Sequence, residues 1–190
     1  RVEGPKGPLH ERMARMPSAL FSPLKLRAVE FRNRLWVSPM CQYSVTERDG
    51  VARAWHQAHL GGLARGGAGL VMIEATGVLP EGRISPEDLG LWRDALAPIV
   101  DFMHSQGAKV GIQLAHAGRK ASVWSELSGR SGSMTDAEGG WTTSAPSAIP
   151  FDAYKAPEAL DAAGINAAIA AFVAAARRAI EARIDVVEVH

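Results

Sequence analysis

Cysteine is almost absent from this chain, because its 190 residues contain a single one, Cys41. One thiol excludes a disulfide within the chain and is typical of proteins in a reducing compartment, which predicts a cytoplasmic location. An excess of positive charge is also lacking: 21 Lys and Arg residues oppose 20 Asp and Glu residues, for a formal net charge of +1. The basic surface of a nucleic-acid-binding protein is therefore not expected.

Long apolar runs and a leader segment are lacking as well. The apolar stretches are shorter than the roughly 20 residues of a membrane-spanning helix, so no membrane association is predicted. The opening stretch RVEGPKGPLHERMARMPS starts with Arg, not Met, and is polar and rich in Gly and Pro, which is typical of a linker-like tail over residues 1–18. The chain closes on IDVVEVH, an apolar run with no turn after it. We expect a fragment in which residues 19–190 form one domain, truncated after its fourth strand.

Four short apolar runs have the length of strands: 35–37, 70–75, 110–114 and 186–189. They are apolar at successive positions, which is typical of parallel strands covered on both faces. Helical periodicity lies between them, and Gly107 is a suitable end for the second helix. Arg183 ends the third helix, where Gly would be more comfortable. The predicted inward positions are 55, 58, 59, 62 and 63, then 96, 99, 100 and 103, then 165, 169, 172, 173, 176 and 180.

This alternation of strands and helices predicts an α/β fold with a parallel sheet and right-handed crossovers. Two architectures satisfy it, an open doubly wound sheet and the N-terminal half of a TIM (β/α)₈ barrel. No G-x-G-x-x-G follows the first strand, which weakens the dinucleotide-binding form of the open sheet. The stretch GGLARGGAG, residues 61–69, leads into a strand and is interpreted as a loop rather than a phosphate cradle. Since a complete barrel needs roughly 250 residues, we favour half a barrel with about four parallel strands.

Polar residues follow the predicted strands, at the end where barrel active sites lie. The first strand leads into SPMCQYS, and the candidates at the other three strand ends are Ala75, Thr76, Gln113, His116, Glu188 and His190. No carboxylate pair and no Ser-His-Asp set occurs among these positions. The collection therefore favours hydrogen bonding to a polar planar ligand over hydrolysis.

Several of these residues also have a simpler structural interpretation. Cys41 is compatible with a small buried hydrophobe, and Gln113 with an ordinary strand-end amide. His56 and His59 have the H-x-x-H spacing of some metal sites, but packing and capping roles are favoured because no partner ligand is evident. Ion pairs or solvated charges are the alternative for Glu74, Glu188, Arg119 and Lys120.

Longer stretches resemble the Old Yellow Enzyme family of flavin-dependent ene-reductases (NADH:flavin oxidoreductases). In chain order they are LFSPLKLRAVEFRNRLWVSPMCQYS, GLVMIEATGVLPEGRISPEDLGLW, GIQLAHAGRKA, APSAIPF and DVVEVH, within residues 20–190. The Cys in SPMCQYS makes the sequence resemble the thermophilic-like bacterial branch of the family, since the yeast-type branch usually has Thr at this position. The resemblance implies a (β/α)₈ barrel that binds FMN non-covalently and uses NAD(P)H to reduce the C=C bond of α,β-unsaturated carbonyl compounds.

The resemblance also implies roles for individual residues. The residues that line the flavin would be Ser38, Pro39, Met40, Cys41, Ala75 and Gln113. Ala75 would contact it through the main chain, and the Gln113 amide would meet its pyrimidine edge. Tyr43 would border the substrate, and His190 would be the first of two residues that grip the substrate carbonyl. The Cys41 thiol would tune the redox potential of the flavin, which is the protein's part in a cofactor enzyme.

Two other functions stay open on the sequence. A metal-dependent barrel hydrolase would use His56, His59 and His116, but it needs carboxylate-rich strand ends that the sequence does not show. A non-catalytic piece would assemble with a partner chain or domain of a larger flavoprotein. For the enzyme we expect a small-molecule enone substrate and a homo-oligomer of the full-length protein. The long connection over residues 115–157 is interpreted as a lid, a subunit contact or a mobile surface loop.

We expect the isolated 190-residue chain to bind FMN poorly. The reason is that the resemblance places the phosphate site after the last two strands of the barrel. Titration of the isolated chain with FMN, followed by flavin fluorescence, should show weak binding, with the full-length protein as the control. Tight one-to-one binding to the isolated chain would contradict this expectation.

Overall fold

A four-stranded parallel sheet forms the centre of the computed structural model, which describes residues 18–92 and 96–190. Numbered along the chain, its strands are β3 (Trp36–Val37), β4 (Leu70–Gly77), β5 (Lys109–Ala115) and β8 (Val186–Val189). They lie side by side in the order β3-β4-β5-β8, and all neighbours are parallel. The predicted parallel α/β sheet is confirmed. The predicted linker-like tail, residues 1–18, lies outside the described residues except for Ser18.

Three helices connect the strands: α1 (Ala54–Arg65), α2 (Ala97–Ser105) and α3 (Ala162–Glu181). They pack on one face of the sheet, and the main hydrophobic core lies between the two layers. Its strand residues are buried and largely branched, namely Val71, Ile73, Val110, Ile112 and Leu114. This layering of helices on a parallel sheet is the arrangement that right-handed crossovers produce.

The second predicted helix has the expected inward face. Leu96, Ile99, Val100 and Met103 are each at most 4% exposed. Gly107 follows the helix with a φ of +78°, and its N–H donates to the carbonyl of His104 at 2.8 Å. A residue without a Cβ adopts this left-handed conformation at little cost, so Gly107 ends the helix as predicted.

The predicted inward face of α1 is mostly wrong, although the predicted Leu63 does pack against the core, partly buried. The residues that α1 buries are His56, Leu60, Gly61 and Ala64, whereas Trp55 is 54% exposed. His56 accepts the Arg53 N–H through Nδ1 at 3.2 Å and so caps the helix start, as the capping alternative predicted. A polar residue at the first buried position concealed the apolar face, because His56 does not count as apolar in a periodicity search.

The predicted inward face of α3 is only partly right: Phe172 and Ala176 pack against the core as predicted, although they are only partly buried. Small residues pack on the core, namely Ala171, Ala175, Ala179 and the following Ala182. The larger predicted residues are mostly exposed, with Ile165, Ile169, Val173 and Ile180 at 45–68%. Alanine lets a helix approach a sheet closely, which large side chains would prevent. Arg183 follows with a φ of +63°, the left-handed conformation in which Gly would be more comfortable.

Helix α3 also corrects the prediction that every apolar stretch is too short to span a membrane. By length and composition alone, its 20 residues could cross a bilayer. Such a helix is weak evidence by itself, since a helix of a protein core meets the same test. Here its alanines pack against the sheet.

The glycine-rich stretch of residues 61–69 is only partly a loop. Its first five residues belong to α1, and the remainder turns into β4. Gly67 has a φ of +104°, and the Gly69 N–H donates to the carbonyl of Leu35 at 2.8 Å. The stretch therefore serves helix packing and a tight turn, so the phosphate-cradle alternative is not needed to explain its glycines.

Two small sheets accompany the central one and were not predicted. β1 (Leu24–Leu26) and β2 (Val29–Phe31) form an antiparallel hairpin. Phe31 of this hairpin packs with Leu70 and Met72 in a second buried cluster. In the long connection, β6 (Ser144–Ala145) pairs in parallel with β7 (Glu158–Ala159).

The long connection after β5 has defined internal contacts. Arg119 donates to the Ile149 carbonyl at 2.7 Å and to the Ser147 hydroxyl at 3.1 Å. The Trp141 Nε1–H donates to the Glu81 carbonyl at 2.8 Å, which ties the connection to the segment after β4. These bonds argue against a loosely held surface loop, while a role as a lid or subunit contact stays a prediction.

Two Gly→Ala variants within residues 61–69 should change stability in opposite directions. At Gly62, an added Cβ meets nothing within 4 Å, so Gly62→Ala should stabilise the helix by about 0.5–1 kcal/mol. At Gly69, it would overlap the Asn33 backbone carbonyl and lie 2.6 Å from its Oδ1, so Gly69→Ala should destabilise the protein by about 1–3 kcal/mol. Urea unfolding of the full-length protein measures both, and effects of the same sign would contradict the assignment.

Candidate functional site

The register of three strands brings predicted site residues into one row. Ala75 of β4 is the register partner of Gln113 of β5, which is the partner of Glu188 of β8. The Gln113 Nε2 atom donates to Glu188 Oε1 at 2.9 Å. His190 lies just beyond, with its backbone N–H bonded to the Leu114 carbonyl at 2.9 Å and its Nδ1 atom 3.9 Å from Glu188 Oε1. The carboxyl ends of these strands thus form one polar edge.

The segment after β3 joins the same edge. The Gln42 backbone N–H donates to Glu74 Oε2, and the backbone of Ala75 lies close enough to the Cys41 thiol to lower its pKa slightly against the larger rise from burial. Tyr43 has a φ of +50°, an uncommon conformation for a residue with a bulky side chain. Cys41 and Tyr43 are half-buried, whereas Met40 is 51% exposed at the surface of the segment. Cys41 therefore meets the row at Ala75.

A β-bulge in β4 directs Glu74 away from the regular ladder. The register with β5 shifts between Ile73 and Ala75, which leaves Glu74 without a register partner. Its side chain is 4% exposed, and its Oε1 atom lies 3.4 Å from His56 Nε2. Bulges often re-aim one side chain near an active site. Here the bulge turns a buried carboxylate toward Gln42 and His56, not toward Arg or Lys as the ion-pair alternative expected.

A second carboxyl group near Cys41 was missed by sequence reasoning. Asp88 is fully buried, and its Oδ2 atom accepts the Ser85 backbone N–H. One ligand-type atom each of Cys41, Glu74 and Asp88 lies within 4.8 Å of the other two. The prediction that the strand ends hold no carboxylate pair is therefore wrong.

The chain brings Asp88 back to β4 through the loop that follows this strand. The Gly77 N–H donates to the Leu89 carbonyl at 2.8 Å, and the Leu91 N–H to the Gly77 carbonyl at 2.9 Å. Leu89 and Leu91 are each 1% exposed. In the sequence, Asp88 stands beside Leu89 and Leu91. This pattern could have predicted that the Asp88 carboxyl is buried, but not which residues it contacts.

Burial and like charge set the ionisation of this cluster. Burial, with added repulsion from Asp88 and Glu74, raises the pKa of Cys41 to about 12. Burial also raises the pKa of Asp88 to about 7, although hydrogen bonds from Ser85 oppose the rise. The pKa of Tyr43 is raised too, first by burial and then by repulsion from Cys41. The thiol is therefore protonated at neutral pH, which disfavours a nucleophilic role.

The remaining predicted polar residues have structural partners. The Thr76 hydroxyl donates to the Glu74 carbonyl at 2.7 Å, inside the protein. His116 Nδ1 accepts the Gly118 N–H at 3.1 Å, and burial lowers the pKa of His116. The His59 ring stacks on Trp55 with centroids 6.2 Å apart.

The histidine set of the hydrolase alternative is not assembled in residues 18–92 and 96–190. The potential ligand cluster found within these residues consists of Cys41, Glu74 and Asp88, without His56, His59 or His116. A metal site of three histidines would require their ring nitrogens to converge on one point. The structure therefore gives no support to this alternative.

A wide groove lies elsewhere on the molecule, between α1 and α2. It encloses about 420 Å³ and is lined largely by small residues and one aromatic ring, namely Ala54, Ala58, Gly61, Gly62 and Phe102. Gln57 and Arg65 complete its lining, and the groove lies in the helical layer. Chemistry is better sought at the polar edge, where amide, thiol, carboxyl and imidazole groups converge.

Comparison with known proteins decides the family. Residues 19–190 match the NADH:flavin oxidoreductase / NADH oxidase family. The chain belongs to this family. An NADPH dehydrogenase of Listeria monocytogenes is 48% identical over 91% of this chain and 48% of its own length. An NADH:flavin oxidoreductase of Gibberella zeae is 46% identical over 90% of this chain and 43% of its own length.

Solved structures of the same family share the fold. Morphinone reductase is 28% identical, with a TM-score of 0.74 over 90% of this chain and 47% of its own. An Old Yellow Enzyme from Pichia gives a TM-score of 0.76 at 28% identity, over 90% of this chain and 45% of its own. The half-barrel prediction and the resemblance to Old Yellow Enzymes are thereby confirmed. The chain spans about half the length of the relatives that it matches.

The residues at the polar edge fit the flavin that the family name implies. Gln113 gives one amide hydrogen to Glu188, which fixes its orientation and leaves its carbonyl oxygen and second N–H available. Ser38 and Met40, in the segment after β3, are exposed. An amide of fixed orientation can satisfy the alternating donors and acceptors of an isoalloxazine edge. FMN and NAD(P)H are the cofactors of this family.

The raised pKa of Asp88 predicts a pH-dependent loss of stability. The folded protein retains this proton up to about pH 7, whereas the unfolded chain loses it near pH 3.8. Stability should therefore fall as pH rises from about 4 to about 7 and then level off. Relative to Asp88→Asn, which does not titrate, the full-length wild type should lose on the order of 1–4 kcal/mol across this window. Urea unfolding at several pH values measures the difference, and a constant difference would contradict it.

Proposed function

We propose that the full-length protein is an FMN-dependent oxidoreductase that transfers hydride from NAD(P)H to the C=C bond of α,β-unsaturated carbonyl compounds. The observation that carries the proposal is the row of Ala75, Gln113 and Glu188, with Cys41 at one end and His190 at the other. Family membership and the NADPH dehydrogenase relatives support the redox class. The proposal includes the small enone substrate and the cytoplasmic, homo-oligomeric state expected from the sequence.

The cofactor-binding residues in this proposal are Ser38, Pro39, Met40, Cys41, Ala75 and Gln113. Gln113 holds the pyrimidine edge of FMN through its amide, and the exposed segment after β3 lies along the ring. When bound, FMN supplies the hydride transfer between the nicotinamide and the substrate. The chain's own part is to orient the ring and to set the charge around it.

The substrate-binding residues in this proposal are His190 and Tyr43. His190 directly follows the last residue of β8, with its Nδ1 atom 3.9 Å from Glu188 Oε1. An imidazole N–H that donates to the carbonyl oxygen of an enone stabilises the negative charge that develops there. Tyr43 borders the substrate from the segment after β3.

The test uses the purified full-length protein under anaerobic conditions. It should be yellow with bound FMN, lose the flavin absorbance on addition of NADPH, and regain it on addition of 2-cyclohexen-1-one. Protein without flavin, or flavin that NADPH does not bleach, would overturn the redox class. Bleaching by NADPH without recolouring by the enone would overturn only the proposed substrate.

His190→Ala should separate substrate activation from cofactor binding. Loss of a hydrogen bond to developing charge costs about 10²–10³-fold, so kcat/KM for cyclohexenone should fall by about that factor. The FMN content should stay unchanged, because no flavin contact is assigned to His190.

His104→Ala is the matched control for this variant. The His104 ring bonds to Asp185 at 2.7 Å, at the amino ends of β5 and β8, on the opposite edge of the sheet. Its kcat/KM should equal that of the wild type. Equal losses in both variants would show that the His190 effect is not specific to the site.

A further inference from the structure

Three acidic groups meet at the inner end of the proposed flavin site. Asp88 is fully buried, Glu74 is 4% exposed, and the half-buried Cys41 thiol lies within 4.8 Å of both. Within residues 18–92 and 96–190, no Lys or Arg nitrogen comes within 4.0 Å of either carboxylate. Buried charge without a counter-ion is costly, so the cluster must retain protons or bind a cation.

Each carboxylate in the cluster has one oxygen fixed by the backbone. The Gln42 N–H bonds to Glu74 Oε2, and the Ser85 N–H bonds to Asp88 Oδ2. The other Glu74 oxygen lies 3.4 Å from His56 Nε2. The other Asp88 oxygen, Oδ1, is buried and has no hydrogen-bond partner among the described residues. A buried acceptor without a donor is rare, and two neighbouring side chains carry a hydrogen that could be donated to it: the Cys41 S–H group and the Ser85 hydroxyl, which is itself buried without a partner.

We propose that Asp88 is a positioning residue for Cys41: when Asp88 is ionised, its Oδ1 atom accepts a hydrogen bond from the thiol and keeps the sulfur protonated. The bond would satisfy the unpaired carboxyl oxygen and fix the direction of the only thiol in the chain.

Charged and titratable groups face the cluster from every neighbouring element. They are His56 of α1, Glu74 of β4, Tyr43 and Arg83, while Glu126 of the long connection acts on Tyr43. Arg83 is the positively charged side chain that acts on Asp88. Its guanidinium, however, donates hydrogen bonds to the carbonyls of Pro80, Arg48 and Pro86. It also lies between the rings of Trp92 and Trp141, at 5.4 and 5.3 Å. Arg83 therefore forms no ion pair with Asp88 within 4.0 Å. The thiol proton of Cys41 remains available for a hydrogen bond to Asp88.

The ionisation of Asp88 makes this interaction dependent on pH. Burial raises the pKa of Asp88 to about 7 and that of Cys41 to about 12, so Asp88 ionises first. Each Asp88 anion then repels a thiolate, which makes the thiol still harder to deprotonate. Below pH 7 this repulsion is absent.

The consequence for redox chemistry rests on the proposed function. If Cys41 contacts the flavin, a thiol that donates to Asp88 presents its sulfur lone pairs, not its hydrogen, to the ring. The Asp88 anion also adds negative charge near the cofactor, which disfavours the electron-rich reduced form. Asp88 would therefore lower the reduction potential of bound FMN through Cys41.

The pH dependence of Cys41 alkylation in the full-length protein tests the proposal without any flavin. Iodoacetamide reacts with the thiolate, so the rate should rise about tenfold per pH unit when nothing else titrates. In the wild type the rise between pH 6 and 8 should be shallower, about three- to fivefold per unit, because Asp88 ionises there. Mass spectrometry of the peptide that contains Cys41 measures the rate at this residue alone.

In Asp88→Asn, the rate of Cys41 alkylation should again rise about tenfold per pH unit. At pH 8 this rate should be about tenfold higher than in the wild type. Asp152→Asn is the matched control: Asp152 is exposed and has a φ of +48°, which Asn tolerates, so this variant should behave as the wild type. A rise of tenfold per unit in the wild type itself would overturn the proposal, even if Asp88→Asn fails to fold. Equal slopes in the wild type and Asp88→Asn would overturn it too.

Metal analysis and redox titration complete the experiment. Stoichiometric zinc in the purified protein that is lost in both Cys41→Ser and Asp88→Asn would show that the cluster binds a metal ion. That result would overturn the proposed hydrogen bond. With FMN bound, Asp88→Asn should shift the flavin potential to a more positive value than Asp152→Asn. If the alkylation result holds but the protein binds no FMN, the proposed function fails while the Asp88–Cys41 interaction stands. An unchanged potential with FMN bound would overturn the redox consequence.

Discussion

The hydrogen-bonded register of β4, β5 and β8 is the constraint on which the candidate site depends. Backbone bonds between parallel strands place Ala75, Gln113 and Glu188 side by side, although they are distant along the chain. Because side chains alternate between the faces of a strand, a slip by one residue would turn Gln113 toward the helices. Branched residues such as Val110 and Ile112 fill the opposite face and oppose such a slip. The register of the core therefore fixes the geometry of the polar edge.

A local irregularity within this register supplies the chemistry that regular strands do not. The bulge at Glu74 places a carboxylate beside the segment that contains Cys41, and the return of the chain at Gly77 adds Asp88. Burying two carboxyl groups beside a thiol destabilises the folded state, since each prefers water when ionised. Proteins retain such arrangements mainly at functional sites, where altered ionisation is useful. The cluster and the proposed flavin site share Cys41, which links stability, protonation and redox chemistry at one position.

Part of the fold could be predicted because its signals are local. The four strands of the central sheet and the inward face of α2 follow from runs of large apolar residues. The inward faces of α1 and α3 could not be predicted in this way. In α1 a histidine occupies a buried position, because Glu74 and the helix start provide its contacts. In α3 the packing surface consists of alanines with Phe172, whereas the other large apolar residues of the predicted face, Ile165, Ile169, Val173 and Ile180, are exposed.

By itself, the sequence determined the order of strands and helices, the family resemblance and the residue types at the strand ends. These features depend on short runs of neighbouring residues, whose side-chain periodicity and motifs are visible in one dimension. Only the tertiary structure decided that Gln113 bonds to Glu188 and that Asp88 lies beside Cys41. Contacts between distant residues depend on register, a bulge and the path of a loop. Those features result from the packing of the whole domain, which no single segment specifies.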